Sequence, residues 1–279
     1  MKTAVLSGKG GTGKTFVSVN LAYAAGKSMY IDCDVEEPNG HIFLKPTVDG
    51  TESVCVLIPK VNQSKCSGCR KCVDFCRFNA LAYIRDRVEV FEDICHSCGG
   101  CSLVCPEGAI TEKPKEIGVI KSGNSGDVRV ISGIMDTGEE SGVPIIKQLL
   151  EKTWEETDVF IDAPPGSACT VMESIRDIDY CILVTEPTVF GLHNLKMVLE
   201  LVDIFKKPHG VVINKTVGPF PVLENYLKSR NTEILMEIKY DPVLGDLNSR
   251  GMIAAKENPR YHDMFTELLS GIEGKAAHV

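Results

Sequence analysis

A short apolar strand, a glycine-rich loop and a helix follow one another at the start of the chain, and this order constrains the fold more than any other feature. The first residues read MKTAVLSGKGGTGKTFVSVNLA. Residues 8–15 fit the pattern GxxxxGK followed by Ser or Thr, whose glycines let backbone N–H groups converge on phosphate oxygens. The sequence therefore predicts a phosphate-binding loop in which Lys14 reaches the β and γ phosphates and the Thr15 hydroxyl binds Mg²⁺.

Apolar runs alternate with helical stretches along most of the remaining chain. SMYID, DVFID, YCILVT and GVVIN are short, continuous apolar runs of the kind that buried parallel strands show. Helical stretches such as VFGLHNLKMVLELVDIF separate them. This alternation predicts an α/β fold with a doubly wound, mostly parallel sheet of the P-loop NTPase class.

The chain has 12 cysteines, and eight of them form two runs of equal spacing. In each run three cysteines are separated by two residues each and a fourth follows after three more, which is the bacterial ferredoxin pattern for 4Fe–4S clusters. The fourth cysteine of each run binds the cluster of the other run. Zinc sites use paired Cys-x2-Cys motifs, so the spacing favours two clusters over zinc. The predicted ligands are Cys66, Cys69, Cys72 and Cys105 for cluster one, and Cys76, Cys95, Cys98 and Cys101 for cluster two.

The cysteine runs interrupt the alternation of strands and helices over about residues 61–115, and the interruption closes with EKPKEIG. So short a segment has little core of its own, and we expect its metal centres to hold it together. The sequence therefore predicts a small inserted ferredoxin-like domain at residues 61–115. The P-loop domain is then discontinuous, with residues 1–60 and 116–279.

Charge and hydropathy exclude several classes of partner. The formal net charge is −8, and no run of five or more Lys or Arg occurs, so neither nucleic acid nor an anionic membrane is the expected partner. The start of the chain does not resemble a signal peptide, and no apolar run reaches membrane-spanning length. We expect a soluble cytoplasmic protein.

The loop SGKGGTGKT resembles the deviant Walker A loop of the MinD/ParA/Mrp ATPases and of the nitrogenase iron protein. The resemblance covers the chain outside the cysteine segment and implies slow hydrolysis of Mg-ATP. In that family the lysine at the position of Lys9 crosses a dimer interface to the partner's nucleotide, which implies a homodimer across ATP. Lys9 and Lys14 would then stabilise charge on the γ phosphate. The other loop residues implied to hold the nucleotide are Gly8, Gly10, Gly11, Thr12, Gly13 and Thr15.

Further positions match motifs of the same family one at a time. Asp34 in YIDCDVEEPN resembles the first-switch aspartate that orients the attacking water, although a carboxylate there could also simply cap the next turn. Asp162 in DVFIDAPPG resembles the aspartate that holds Mg²⁺ through water, and Gly166 then approaches the γ phosphate. Asn214 in VVINK resembles the residue that reads the adenine edge, where an amide supplies donor and acceptor. Pro242 in YDP resembles a second segment beside the base.

Cys169 stands apart from the two runs. It follows Asp162 by seven residues, and in the nitrogenase iron protein a cysteine at that offset binds a cluster shared between subunits. The second ligand of that arrangement would lie near DTGEESGV, which contains no cysteine. One thiol per subunit cannot complete a four-thiolate site, so we expect Cys169 to be a buried structural thiol.

Three classes of function fit these features. The first is an ATP-gated electron carrier that serves an unidentified redox partner. The second is an ATP-dependent assembly or carrier protein that delivers iron–sulfur or other metal clusters to an acceptor. The third is a positioning switch of the MinD/ParA kind with the ferredoxin part as a sensor. Eight matched ligands favour stably held clusters, and therefore the first class.

A membrane-binding tail would favour the third class. The C-terminal stretch YHDMFTELLSGI has apolar residues at helical spacing, but Asp263 and Glu267 occupy its polar face. Anionic lipid would repel these carboxylates. The sequence therefore predicts a C-terminal helix that docks on the protein's own sheet.

Overall fold

The computed structural model describes residues 1–153 and 157–276. Residues 154–156 and 277–279, which belong to the predicted P-loop domain, lie outside the described residues. None of the helices in the two described ranges has the length and apolar character that crossing a membrane requires.

Eleven strands and eleven α-helices follow one another along the described residues. The strands are β1 (Lys2–Leu6), β2 (Ser28–Asp32), β3 (Thr47–Val61), β4 (Leu81–Ile84), β5 (Arg87–Val90), β6 (Ile110–Ser125), β7 (Val128–Met135), β8 (Asp158–Asp162), β9 (Tyr180–Thr185), β10 (His209–Thr216) and β11 (Ile234–Lys239). The helices are α1 (Lys14–Ala24), α2 (Gly40–Leu44), α3 (Lys71–Phe75), α4 (Gly100–Leu103), α5 (Val143–Leu150), α6 (Cys169–Ser174), α7 (Val189–Ile204), α8 (Pro221–Ser229), α9 (Pro242–Ser249), α10 (Ala254–Glu257) and α11 (Pro259–Ala276).

Nine of these strands form one sheet in the order β11-β10-β9-β1-β8-β2-β7-β6-β3. The seven strands from β11 to β7 pair in parallel, and β6 and β3 add two antiparallel strands at one edge. The prediction of a doubly wound, mostly parallel sheet is confirmed. The apolar runs read from the sequence are β2, β8, β9 and β10, each buried because helices cover both faces.

Two apolar cores lie on opposite faces of the sheet. On one face α1 packs against the C-terminal helix α11, where Phe16 and Phe265 meet edge to face with ring centroids 5.7 Å apart. The apolar side of α11 is buried against this core, as the helical spacing of its residues predicts. Its buried residues are Tyr261, Phe265, Leu268, Leu269 and Ile272.

Strands β3 and β6 form a long antiparallel ladder that carries the cysteine segment. The ladder runs from the pair Thr47–Asn124 to the pair Val61–Ile110, whereas β7 pairs with β6 only from Gly118 to Ser125. Residues 110–117 of β6 therefore pair with β3 alone, and at about 3.4 Å per residue they extend roughly 25 Å beyond the edge of β7. The stretch EKPKEIG, which the sequence places at the close of the insert, is a continuous part of β6.

Between the ends of this ladder lie α3, the β4–β5 hairpin and α4. Leu81, Val88 and Ile110 form a small core with the thiols of Cys72 and Cys101. This cluster is much smaller than either core of the main sheet. A segment with so few apolar contacts depends on other constraints for its stability.

Candidate nucleotide site and cysteine loops

The loop between β1 and α1 contains a glycine, Gly13, that no other residue can replace without strain. Gly13 precedes α1 with φ 97°, a conformation that L residues with a side chain rarely adopt. A Cβ atom at Gly13 would also lie 2.2 Å from the Nδ2 atom of Asn214. The chain therefore passes close to the end of β10 at this point, and α1 begins with its free N–H groups directed at the loop.

Lys14 is almost fully buried and contacts two of the predicted carboxylates. Its Nζ lies 2.6 Å from Asp162 Oδ1 and 3.6 Å from Asp34 Oδ2. Burial lowers the pKa of Lys14, but the charges of Asp162 and Asp34 outweigh this effect and raise it above its usual value. The structure thus brings three predicted site residues together, and the lysine is cationic at any physiological pH.

Asp162 is held from its other side by a residue that the sequence analysis missed. The hydroxyl of Tyr30 donates a hydrogen bond of 2.9 Å to Asp162 Oδ2, and both side chains are fully or nearly fully buried. Strand pairing explains the contact, because β2 and β8 run in parallel with Asp32 opposite Asp162. The only sequence signal for Tyr30 is a phenol in an otherwise apolar strand just ahead of Asp32.

Asp32 is a second fully buried carboxylate beside the phosphate loop. Its two oxygens accept hydrogen bonds from the backbone N–H groups of Gly40, at 2.9 Å, and Asp34, at 3.2 Å. Burial and the nearby charge of Asp162 raise the pKa of Asp32 to about 7. Asp32 thus fixes the turn that carries Asp34, and burial also raises the pKa of Asp34.

Lys9 is bound to a residue of its own chain. Its Nζ lies 2.9 Å from Glu186 Oε2 and 5.3 Å from the centre of the Phe190 ring. Lys215 Nζ contacts the other oxygen of Glu186 at 2.7 Å and the carbonyl oxygen of Gly11 at 2.8 Å. Burial raises the pKa of Glu186, but the two lysines outweigh this and lower it. Glu186 directly follows β9, and no feature of the sequence indicated that it would contact Lys9.

A cavity of about 650 Å³ opens in front of the phosphate loop. Its walls include Lys14, Thr15 and Asp34. The hydroxyl of Thr12 is buried, and among the described residues it has no hydrogen-bond partner. A buried hydroxyl without a partner in a glycine-rich loop suits a phosphate oxygen, so these residues fit a bound nucleotide.

Asn214 and Pro242, the two residues predicted to lie beside the adenine base, are at different positions next to the phosphate loop. The Nδ2 group of Asn214 donates to the carbonyl oxygen of Thr12 at 2.8 Å, and its Oδ1 accepts from the N–H of Lys215 at 2.9 Å. Both ends of the amide therefore serve the loop in this state. Asn214 lines a hollow of about 140 Å³ next to the loop, together with Asp241. Pro242 begins α9 beside it.

Two other predicted residues lie beyond β8. Gly166 has φ 95° and donates its N–H to the carbonyl oxygen of Ser7 at 2.8 Å, which ties the turn after β8 to the residue just before the phosphate loop. Cys169 is exposed at the start of α6, so the prediction of a buried thiol is wrong. The buried residues of this short helix are Val171, Glu173 and Ser174, and Cys169 is not among them.

The two cysteine loops share one backbone conformation. In each loop the residues before and after the middle cysteine have positive φ: Gly68 at 70° and Arg70 at 62°, then Ser97 at 52° and Gly99 at 70°. Each loop leads into a short helix, α3 or α4. Such turns direct successive N–H groups to one point and form the concave anion sites found at iron–sulfur centres.

Two of the thiols have pKa values that respond to other cysteines of the loops. The charges of Cys105 and Cys66 act on Cys72, and those of Cys95 and Cys98 act on Cys101. Burial raises the pKa of Cys72, and raises that of Cys101 to about 11. In residues 1–153 and 157–276, no three His, Cys, Asp or Glu side chains are close enough to hold a single metal ion. The all-thiol donor set and the repeated loops fit 4Fe–4S clusters.

The fold and the site define a class of protein. A phosphate loop between a strand and a helix, with a buried lysine and acidic residues at neighbouring strand ends, is the site of a P-loop nucleotide-binding protein. Residues 3–254 match the family described as the CobQ/CobB/MinD/ParA nucleotide binding domain. The chain belongs to this family of nucleotide-binding domains.

Individual relatives agree with this assignment. An uncharacterized protein of Methanocaldococcus jannaschii is 30% identical over 228 residues, which are 77% of this chain and 80% of the relative. The iron-sulfur cluster carrier protein of the same organism is 24% identical over 98% of this chain and 86% of its own length. The fold is similar to that of the septum site-determining protein MinD from Pyrococcus horikoshii, solved with Mg-ADP, with a TM-score of 0.60 and 18% identity over 99% of each chain.

Asp32 should make the stability of the nucleotide-free protein depend on pH. Because its pKa is about 7 in the folded state and 3.8 ordinarily, the folded protein holds a proton that the unfolded chain has released. This contribution to stability is complete below about pH 4 and is lost as the pH rises through about 7. We expect a fall of roughly 1–4 kcal/mol over that window, measured by urea unfolding in buffer free of Mg²⁺.

Asp32→Asn cannot ionise and should lack this fall, leaving a slope of the same sign from the raised pKa of Asp34 and one of the opposite sign from the lowered pKa of Glu186. Asp263→Asn, on the exposed side of α11, is the control and should follow the wild type. Equal slopes for Asp32→Asn and the wild type would contradict the assignment.

Proposed function

We propose that this protein hydrolyses Mg-ATP as a homodimer and that the nucleotide gates electron transfer from two 4Fe–4S clusters to a partner protein. The observation that carries the proposal is the continuous β3–β6 ladder. It belongs to the nucleotide-binding sheet at one end and holds both cysteine loops at the other. A hydrogen-bonded ladder that is shared by the sheet and the loops suits the transmission of a change at the nucleotide to the loops.

The nucleotide end of this function rests on the residues around the phosphate loop. Lys14 leaves Asp162 to bind the β and γ phosphates, and Thr15 holds Mg²⁺. Asp162, kept in place by Tyr30, then binds the waters of the Mg²⁺ ion, and Asp34 orients the attacking water. Lys9 leaves Glu186 and neutralises charge on the partner's γ phosphate, which requires two subunits face to face.

The cysteine end supplies the redox chemistry. When bound, each cluster provides a one-electron couple whose potential follows nearby charge, hydrogen bonds and solvent exposure. The chain holds the thiols in position and donates the N–H of Ala109 to Cys105 Sγ at 3.3 Å. His96 stacks on Phe78 at a ring distance of 3.9 Å, which covers part of the second loop.

A second candidate is delivery of clusters to an acceptor. The relative named iron-sulfur cluster carrier protein, which is similar over nearly the whole chain, favours it. The two candidates differ in what happens to iron during turnover. An electron carrier keeps its clusters when mixed with ATP and an apo-ferredoxin, whereas a carrier protein transfers iron and sulfide to that acceptor.

Substitution of Lys14 should affect nucleotide binding, whereas substitution of Lys9 should affect hydrolysis. Lys14→Ala should abolish binding of a fluorescent ATP analogue, because Lys14 contacts the nucleotide of its own subunit. Lys9→Ala should bind the analogue normally and lower the rate of hydrolysis by roughly 10²–10³-fold, since a charge contact made only in the transition state is lost. Lys196→Ala, exposed on α7, is the control. Normal hydrolysis by Lys9→Ala would remove the cross-dimer role.

The anaerobically purified chain should contain about eight iron atoms and eight acid-labile sulfides, as two 4Fe–4S clusters require. Metal analysis and a paramagnetic signal on reduction measure this content. Cys69→Ser and Cys98→Ser should each lose about half of the iron, because each removes a ligand of one cluster. A preparation that holds only zinc and shows no signal on reduction would contradict the proposal.

Gating predicts that ATP shifts the reduction potential of the clusters. Coupling between two sites is usually about 1–3 kcal/mol, and about 1.4 kcal/mol corresponds to ~59 mV for one electron. The midpoint should therefore move by roughly 40–130 mV when a non-hydrolysable ATP analogue binds. Potentiometric titration with and without the analogue measures the shift. Identical midpoints in a confirmed dimer would leave the clusters ungated.

A further inference from the structure

Lys115 lies between two acidic groups that belong to different parts of the protein. It stands on β6, in the part of the ladder that extends beyond β7. Its Nζ is 2.9 Å from Glu139, in the turn between β7 and α5, and 3.4 Å from Asp93 Oδ1. Nζ also donates to the carbonyl oxygen of Glu92 at 3.4 Å. The Lys115 and Glu139 side chains are only 16% and 15% exposed, so water screens their pairing weakly.

The turn of residues 136–142, which contains Glu139, packs against the residue that follows Asp34. The N–H of Met135 donates to the carbonyl oxygen of Val35 at 2.8 Å. A Cβ atom on Gly142 would lie 2.4 Å from a methyl group of Val35, so no space separates the two segments. Any displacement of Asp34 and Val35 by a γ phosphate must therefore displace this turn.

The other contacts of Lys115 lie at the entrance of the second cysteine loop. Glu92 and Asp93 belong to the short 3₁₀ turn Glu92–Ile94, and Cys95 follows directly. Lys113, two residues earlier on the same strand, contacts Glu92 at 2.6 Å, but none of its described contacts reaches the turn of residues 136–142. Among the described contacts of Lys115, none involves the first loop at residues 66–72.

We propose that Lys115 is a positioning residue that, through Glu139, couples the nucleotide site to the loop of Cys95 and leaves the loop of Cys66 uncoupled. This inference rests on the proposed gating function and names the residue that performs it. When ATP displaces the turn of residues 136–142, Glu139 moves with it and shifts the Lys115 cation. Lys115 in turn shifts the Glu92–Asp93 turn, so the positions of these charges relative to Cys95 change. A charge moved close to one cluster changes the potential of that cluster more than that of the cluster farther from it.

The experiment uses the cluster-loaded, full-length protein, with Mg²⁺ and a non-hydrolysable ATP analogue present or absent. Potentiometry followed by electron paramagnetic resonance resolves the two couples. In the wild type, we expect one of the two midpoints to move and the other to stay. By linkage, reduction of the cluster whose midpoint moves should change the affinity of the protein for the analogue by roughly 5–150-fold.

Four single variants and the double variant of Lys115→Met with Glu139→Gln isolate the contact. Lys115→Met keeps the length of the side chain without its charge, and Glu139→Gln removes the charge on the nucleotide side. Both should reduce the effect of reduction on analogue affinity to less than about twofold, below the usual range of coupling. Lys115→Arg should restore it, and Lys113→Met, the matched control, should retain it. The double variant should show no further loss beyond either single change, because both act through one contact.

Hydrogen exchange provides a readout that does not involve the redox couples. The analogue should slow exchange at residues 136–142 and at residues 92–98 in the wild type. In Lys115→Met, only the first segment should respond. If Lys115→Met loses its clusters, Glu139→Gln decides the outcome in its place.

The failures are distinguishable. If neither midpoint moves in the wild type, the result contradicts both the gating function and the role of Lys115. A wild-type shift that persists in full in Lys115→Met and Glu139→Gln removes only the role of Lys115. Equal shifts of both midpoints in the wild type also contradict the selective coupling.

Discussion

The buried contact between Lys14 and Asp162 organises the nucleotide site. It joins the start of α1 to the end of β8, and Tyr30 on β2 holds the second oxygen of Asp162. A lone charge in this position would be costly, and removal of one partner of a buried pair commonly destabilises a protein by about 3–5 kcal/mol. The lysine therefore rests on the carboxylate that is predicted to serve Mg²⁺, and the proposed function requires that phosphate replace this carboxylate as its partner.

The same logic applies to Lys9. Glu186 holds Lys9 and Lys215 together, so the lysine that is predicted to reach another subunit has a partner on its own chain. Phe190 lies beside it with 61% of its surface exposed. In the proposed dimer, the contact with Glu186 is exchanged for a contact with the second nucleotide, and this exchange would set the free-energy difference between the two positions of Lys9.

The cysteine segment shows how a small unit gains a defined position. Its apolar cluster is too small to fix its orientation, but the β3–β6 ladder continues the main sheet into it. Backbone hydrogen bonds join the two strands along the ladder, with register shifts between Val48 and Gly50 and between Val54 and Cys55, whereas a flexible linker would let the segment rotate freely. Lys113 and Lys115 then pin the second loop to β6. The position of the loops thus follows from strand pairing rather than from a large core.

Local patterns were enough to predict the phosphate loop, the parallel strands, the docked C-terminal helix and the repeat in the cysteine loops. Each depends on residues that lie close together in the chain, such as the glycines around Lys14 or the spacing from Cys66 to Cys76. The predicted roles of Asp34 and Asn214 remain predictions, although Asp34 lies near Lys14 and Asn214 beside the loop. The buried thiol predicted for Cys169 was wrong, because the register of a helix as short as α6 cannot be read from its sequence.

The sequence by itself determined the class of fold and the chemistry available to it, through the glycine loop, the apolar periodicity and the eight spaced thiols. Only the tertiary structure decided which groups meet. Lys9 and Glu186 are 177 positions apart and Tyr30 and Asp162 are 132 apart, so no local pattern links them. Their contacts arise from the order and register of the strands. A sheet brings distant strand ends to one edge, and the partners of a buried charge are whichever polar groups that edge assembles.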